Sequence, residues 1–274
     1  MIKYLPALLS VFALLLAPLV AATLDGIPLH FTATGKGPAT VILVHGWTCD
    51  ETSWSEQVPA LAARYRTVTV DLPGHGRSGA PAGGKFSMDV FARAVEAVRA
   101  EVGAQRVVLV GHSMGTPVIV QYARLFPQRA AALVFADGVV GLGANLGHKP
   151  DTDRIKGPEG GRIREANTRG MFSAATTPEL QRKILKMMMG APPETAAGAM
   201  AAMYDPAIWK NDVLTLPVLA IYAERSGLGS LALMHRQYPN LEYHEIPATG
   251  HFLMLEKPAE FNRLLLEFLA RQRF

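Results

Sequence analysis

The stretch Gly111-His112-Ser113-Met114-Gly115 constrains this chain of 274 residues more than any other. It follows the β-branched run Val107-Val108-Leu109-Val110, which reads as a strand buried on both faces, and it opens an amphipathic helix running to about residue 126. So sharp a strand-to-helix turn needs glycine on both sides, because its backbone crowds its neighbours. It lifts the Ser113 hydroxyl above the sheet at a helix N-terminus, which marks Ser113 as a candidate nucleophile.

Other short apolar runs fit the same architecture. Val41-Ile42-Leu43-Val44 and Thr67-Val68-Thr69-Val70 each run into a turn, as central parallel strands do, and Leu133-Val134-Phe135-Ala136, 218–222 and 241–246 continue the series. Residues 29–34 alternate and stop at Gly35, which predicts an edge hairpin strand. Between strands lie helical patterns, clearest over 87–102, where Phe91, Val95, Val98 and Val102 recur on one face and Gly103 follows as a cap; a last helix is predicted over 258–272. This alternation predicts an α/β fold with a mostly parallel, doubly wound sheet. Residues 139–212 break it, being rich in Gly, Ala, Pro and Met with amphipathic pieces such as 179–189. They read as a helical cap inserted into a core of 23–138 and 213–274, lying over the strand ends where ligands bind.

The first 22 residues are of another kind. Lys3 precedes an apolar stretch, 5–19, interrupted only by Pro6, Ser10 and Pro18, and Val20-Ala21-Ala22 suits cleavage, so 1–22 is expected to be a signal peptide and the mature chain exported, periplasmic or secreted. The apolar run is shorter than the ~20 residues of a spanning helix, so no stable membrane insertion is expected after cleavage. Cys49 is the only cysteine, which excludes an intrachain disulfide, and it reads as a small packed residue near the mouth of the site. The 27 Lys and Arg residues are scattered and the net charge is only +4, which points to a small-molecule substrate and not to nucleic acid. With no metal-ligating or phosphate-cradling motif, neither metal nor cofactor is expected. The sequence says nothing of oligomeric state.

His45-Gly46-Trp47 after the first central strand, Asp71-Leu72-Pro73-Gly74-His75-Gly76-Arg77-Ser78 after the next, the Ser113 turn, and Gly250-His251-Phe252 before the last helix together resemble the α/β-hydrolase superfamily. The likeness in order and spacing covers essentially everything after Thr23. It implies an α/β-hydrolase fold with a serine nucleophile, and an oxyanion hole made by the backbone N–H groups of Trp47 and Met114. It also implies His251 as general base, on a loop at the same sheet edge as Ser113. Of the other histidines, His45 is expected to brace the oxyanion loop, His75 and His112 sit in structural turns, and His30, His148, His235 and His244 lack a motif.

The acid departs from the family's commonest pattern. Where strand 218–222 is usually followed by Gly-x-x-Asp, this chain has Ala223-Glu224-Arg225-Ser226, and Ser226 cannot act as an anion. Asp137 is the favoured replacement, because it ends the strand after the nucleophile helix, and a right-handed crossover places that strand beside the nucleophile's. Certain haloalkane dehalogenases resemble this arrangement. Glu224 is the competing carboxylate. The implied chemistry is carboxylic ester hydrolysis through an acyl-enzyme on Ser113, the cap methionines suggesting an acyl or aromatic ester pocket. A lactonase, C–C bond hydrolase or amidase on the same residues, and a low-turnover ligand-binding member of the fold, are the rivals.

Overall fold

In the computed structural model, residues 22–141, 150–224 and 226–272 are described. The expected signal peptide lies outside the described residues except for Ala22, and so do residues 142–149 of the expected cap, His148 among them. The elements run β1 (Ala22–Leu24), β2 (Ile27–Leu29), β3 (Phe31–Thr34), β4 (Thr40–Val44), α1 (Val58–Ala62), β5 (Arg66–Val70), α2 (Met88–Glu101), β6 (Val107–His112), α3 (Gly115–Leu125) and β7 (Ala130–Ala136). Then come α4 (Thr152–Lys156), α5 (Gly160–Gly170), α6 (Pro178–Met189), α7 (Pro193–Met203), β8 (Val218–Ala223), α8 (Leu231–Gln237), β9 (Leu241–Ile246), α9 (Leu253–Glu256) and α10 (Pro258–Arg271).

Seven strands form one sheet in the order β3-β5-β4-β6-β7-β8-β9, every pair parallel except β3 with β5. The runs read as doubly buried strands are so: β4, β6, β7 and β8 are buried along their whole length. The chain steps from β4 to β5 in one direction and from β5 onward through β6 to β7, β8 and β9 in the other, so right-handed crossovers put helices on both faces. On one face Tyr122 of α3 donates to Glu96 of α2 at 2.7 Å. On the other, Gln57 before α1 donates to Asn262 of α10 at 3.0 Å, and Trp54 packs on Phe261.

The edge strand predicted over 29–34 divides in two. Its first part pairs as β2 with β1 in a separate two-stranded hairpin, and β3 alone reaches the main sheet, antiparallel to β5. The break falls at His30, whose N–H goes to Ser78 Oγ (2.8 Å) and whose carbonyl accepts from Asp71 N–H (3.0 Å), so its backbone is spent on the turn after β5. Between β7 and β8, helices α4 to α7 lie where the helical insertion was expected. Ser87 caps α2 by accepting from Val90 N–H, and Thr177 caps α6 by accepting from Leu180 N–H. Among the described residues no helix is long and apolar enough to cross a membrane.

Candidate active site

Loops from the carboxyl ends of β4, β6, β7, β8 and β9 meet at one cavity of about 670 Å³, lined by Trp47, Ser113, Asp137, Glu224 and His251 and covered by residues of α5, α7 and the turn after α5. This is the crevice that a parallel sheet offers at its strand ends.

Ser113 sits at φ +52 between β6 and α3. Its N–H donates to Ala136 O (3.1 Å) and its carbonyl accepts from Thr116 N–H (3.0 Å) and Val139 N–H (3.2 Å), so the turn is held from three sides. The flanking glycines are steric requirements. A Cβ on Gly115 would lie 2.4 Å from the Val44 carbonyl oxygen, and one on Gly111 would lie 2.5 Å from the Gly115 carbonyl carbon.

The His45-Gly46-Trp47 loop packs directly against this turn, since a Cβ on Gly46 would be 2.9 Å from His112 Nδ1 and 3.0 Å from Ser113 Cβ. His45 braces it: Nε2 accepts from Leu72 N–H (3.0 Å), which leaves the proton on Nδ1 to donate to Gly46 O (2.8 Å). Complete burial lowers the His45 pKa against the opposing pull of Asp71, in keeping with that neutral tautomer. Among the described residues neither the Trp47 nor the Met114 amide donates to a protein acceptor, so both remain available to a ligand. The Trp47 indole N–H donates to Ala196 O in α7 (2.7 Å), pinning the cap to the loop.

His251 lies just after β9, with Nδ1 2.7 Å from Asp137 Oδ2. Both groups are over 90% buried. The second Asp137 oxygen accepts from Ala223 N–H at 3.0 Å, and Asp137 N–H donates to Ile221 O at 2.8 Å, so β8 fixes the carboxylate that β7 carries. Glu224 turns instead to Ala248 N–H (3.3 Å), and Ser226 Oγ accepts from Leu228 N–H (3.4 Å). Of the two carboxylates weighed from the sequence, Asp137 is the one against His251. No hydrogen bond joins Ser113 to His251 directly; both line the cavity.

His112 lies under the base loop, its ring 4.6 Å from that of His251 and its Nε2 2.9 Å from the His251 carbonyl oxygen. Burial, reinforced by His251, holds its pKa well below the usual value. Nε2 therefore donates. Burial pushes the Cys49 thiol far up, which fits a packed residue and not a nucleophile. Among the six cap methionines, Met171, Met200 and Met203 line the cavity, whereas Met187 and Met188 are buried in the core. Met189 does neither. Sequence reading missed the Trp47 side-chain tie and the part of Glu256, which accepts from Gly250 N–H at 2.5 Å; neither contact leaves a local signature. Among the described residues no group of three His, Cys, Asp or Glu side chains is placed to hold a metal.

Comparison with known proteins agrees with this fold. A family model described as "alpha/beta hydrolase fold" matches residues 39–159. The chain is 28% identical over 252 residues to the dihydrolipoyllysine-residue acetyltransferase component of an acetoin cleaving system from Pseudomonas putida, covering 88% of this chain but only 66% of that protein. It is also 28% identical over 262 residues to a 2-hydroxy-6-oxononadienedioate/2-hydroxy-6-oxononatrienedioate hydrolase from Paraburkholderia phymatum, covering 88% and 91%. A thermophilic esterase from Thermogutta terrifontis superposes with a TM-score of 0.81 at 27% identity, over 92% of this chain and 97% of that one. The chain thus has the α/β-hydrolase fold, and residues 39–159 match the model of that family.

Proposed function

We propose that this protein hydrolyses carboxylic esters of small molecules through an acyl-enzyme on Ser113. The observation that carries the reading is the buried Asp137–His251 pair at 2.7 Å, on the cavity that Ser113 also lines. Neutral His251 takes the Ser113 proton on Nε2 as Oγ attacks the ester carbonyl, and Asp137 holds the Nδ1–H tautomer and faces the imidazolium that forms. The oxygen that becomes an anion lies against the Trp47 and Met114 amides. His251 then returns the proton to the departing alcohol. A water, deprotonated by His251, attacks the acyl carbon and frees Ser113 and the carboxylic acid. Met171, Met200, Met203 and Phe172 suit an apolar acyl or aromatic group.

The Paraburkholderia relative favours a second reading, hydrolysis of an oxo-dienedioate. The described lining includes two carboxylates, Asp137 and Glu224, which repel a second negative charge and weigh for the neutral ester. The deciding experiment measures p-nitrophenyl butyrate hydrolysis and fluorophosphonate labelling for wild type and Ser113→Ala, with lactone, amide and dienedioate substrates alongside. Ester turnover with stoichiometric labelling, both abolished in Ser113→Ala, supports the proposal. Absence of labelling together with ligand-induced thermal stabilisation in both proteins supports a binding protein instead. Export rests on residues 1–22 alone, and N-terminal sequencing of protein from the culture medium or periplasm tests it.

A further inference from the structure

Backbone N–H groups at positions 250 and 251, on the loop that carries the base, are both occupied, and neither partner belongs to that loop's own strand. Gly250 N–H donates to Glu256 Oε2 (2.5 Å), while His251 N–H donates to Met171 O (3.2 Å) in the turn after α5. The other Glu256 oxygen, Oε1, accepts the hydroxyl of Thr176 from the same cap turn. Thr176 is 3% exposed, and its Oγ1 also accepts from Ser173 N–H at 2.8 Å, so one hydroxyl shapes the turn and ties it down. Gly250 permits the approach, because a Cβ there would stand 2.8 Å from Met171 O and 3.0 Å from Ser173 Cβ. Met171, Phe172 and Ser173 line the substrate cavity.

We propose that Glu256 is a positioning residue that clamps the His251 loop to the cap turn 171–176, so that the wall touching the substrate and the base acting on it move as one unit. The proposal rests on the reading of Ser113 and His251 as nucleophile and base. From below, His112 holds the His251 carbonyl; from above, the clamp holds the two preceding amides' worth of loop, and between them the ring keeps its place against Asp137. Glu256 touches no substrate. Its carboxylate converts a contact made by the cap into orientation of the base, which is how a residue away from the chemistry affects a rate.

The test uses the full chain with Glu256→Ala, Glu256→Gln and Thr176→Val, with active-site titration by a fluorophosphonate so that kcat is expressed per competent site. Glu256→Ala frees Gly250 N–H and the Thr176 hydroxyl, and is expected to lower kcat per titrated site by about tenfold or more with a smaller change in KM. Glu256→Gln keeps an oxygen for Gly250 and is expected to stay within about threefold of wild type. Thr176→Val cuts only the cap side, so the larger change falls on KM. Hydrogen exchange at the Gly250 and His251 amides gives a readout independent of turnover: both are protected in wild type, and Glu256→Ala exposes them. Wild-type kcat per site in a folded Glu256→Ala, or a loss only in the number of titratable sites, overturns the proposal. Failure of Ser113 to label, with exchange still dependent on Glu256, overturns the ester reading while leaving the clamp.

Discussion

Two residues that line the cavity carry left-handed backbone angles, Ser113 at φ +52 and Asp137 at φ +41. Such angles cost on the order of 1–3 kcal/mol each and persist where the surroundings hold them, and Asp tolerates them better than most residues. Asn tolerates them equally, so Asp137→Asn separates charge from backbone. It is expected to fold with a melting temperature close to wild type while kcat falls by roughly 10⁴, the scale seen when a triad carboxylate is neutralised. Glu224→Gln, which removes a carboxylate bonded to Ala248 N–H, is expected to stay within about twofold. Kinetics and thermal melts of the two variants decide it; a dead Glu224→Gln beside an active Asp137→Asn would reverse the assignment. The meeting of Ser113, Asp137 and His251 at one cavity was legible because each follows a recognisable strand. The Trp47 Nε1–Ala196 and Glu256–Thr176 contacts were not, since they join residues 149 and 80 apart in the chain.

At the scale of elements, the glycines around the nucleophile and Gly161 in the cap behave oppositely. Gly111 and Gly115 have backbone atoms within 2.5 Å of where a Cβ would sit, and backbone cannot swing aside as a side-chain tip can. Gly111→Ala and Gly115→Ala are expected to destabilise by about 2–3 kcal/mol or more and to abolish Ser113 labelling. Gly161 in α5 meets nothing within 4 Å, so Gly161→Ala is expected to stabilise by about 0.5–1 kcal/mol with activity unchanged. Denaturant midpoints check both. The same contrast explains which elements the sequence disclosed. β4, β6, β7 and β8 announce themselves because burial on two faces demands continuous apolar runs. α5 does not: its residues, GGRIREANTRG, bury only Gly160, Arg164 and Thr168, and packing against the cap overrides propensity. Alternation puts β3 at an edge, but its pairing with β5 depends on the hydrogen bonds that the His30 backbone accepts from Asp71 N–H and donates to Ser78 Oγ, which no local pattern records.

At the scale of the whole molecule, the fully buried His45, His75 and His112 sit behind the site where the sheet meets its loops. Burial is the largest influence on each, lowering all three; it takes His75 to about 3, with neighbouring His45 adding to the shift. In the unfolded chain each returns to about 6.5, so below that pH the unfolded state binds protons that the native state refuses. Stability is therefore whole above about pH 6.5 and is lost as pH falls below it, by up to about 1.4 kcal/mol per pH unit for each histidine that stays neutral. The carboxylates with lowered values, Glu51, Glu96, Asp212 and Glu242, take up protons in the unfolded state only near pH 4.5 and below, so they cannot produce a slope between pH 7 and pH 5. Urea midpoints are expected to fall steadily from pH 7 to pH 5. His75→Gln removes one titrating group from this set, and its midpoint should fall less steeply than that of wild type over the same interval. A wild-type midpoint that is flat from pH 7 to pH 5 would mean that these rings take up protons in place, with water reaching them behind the nucleophile.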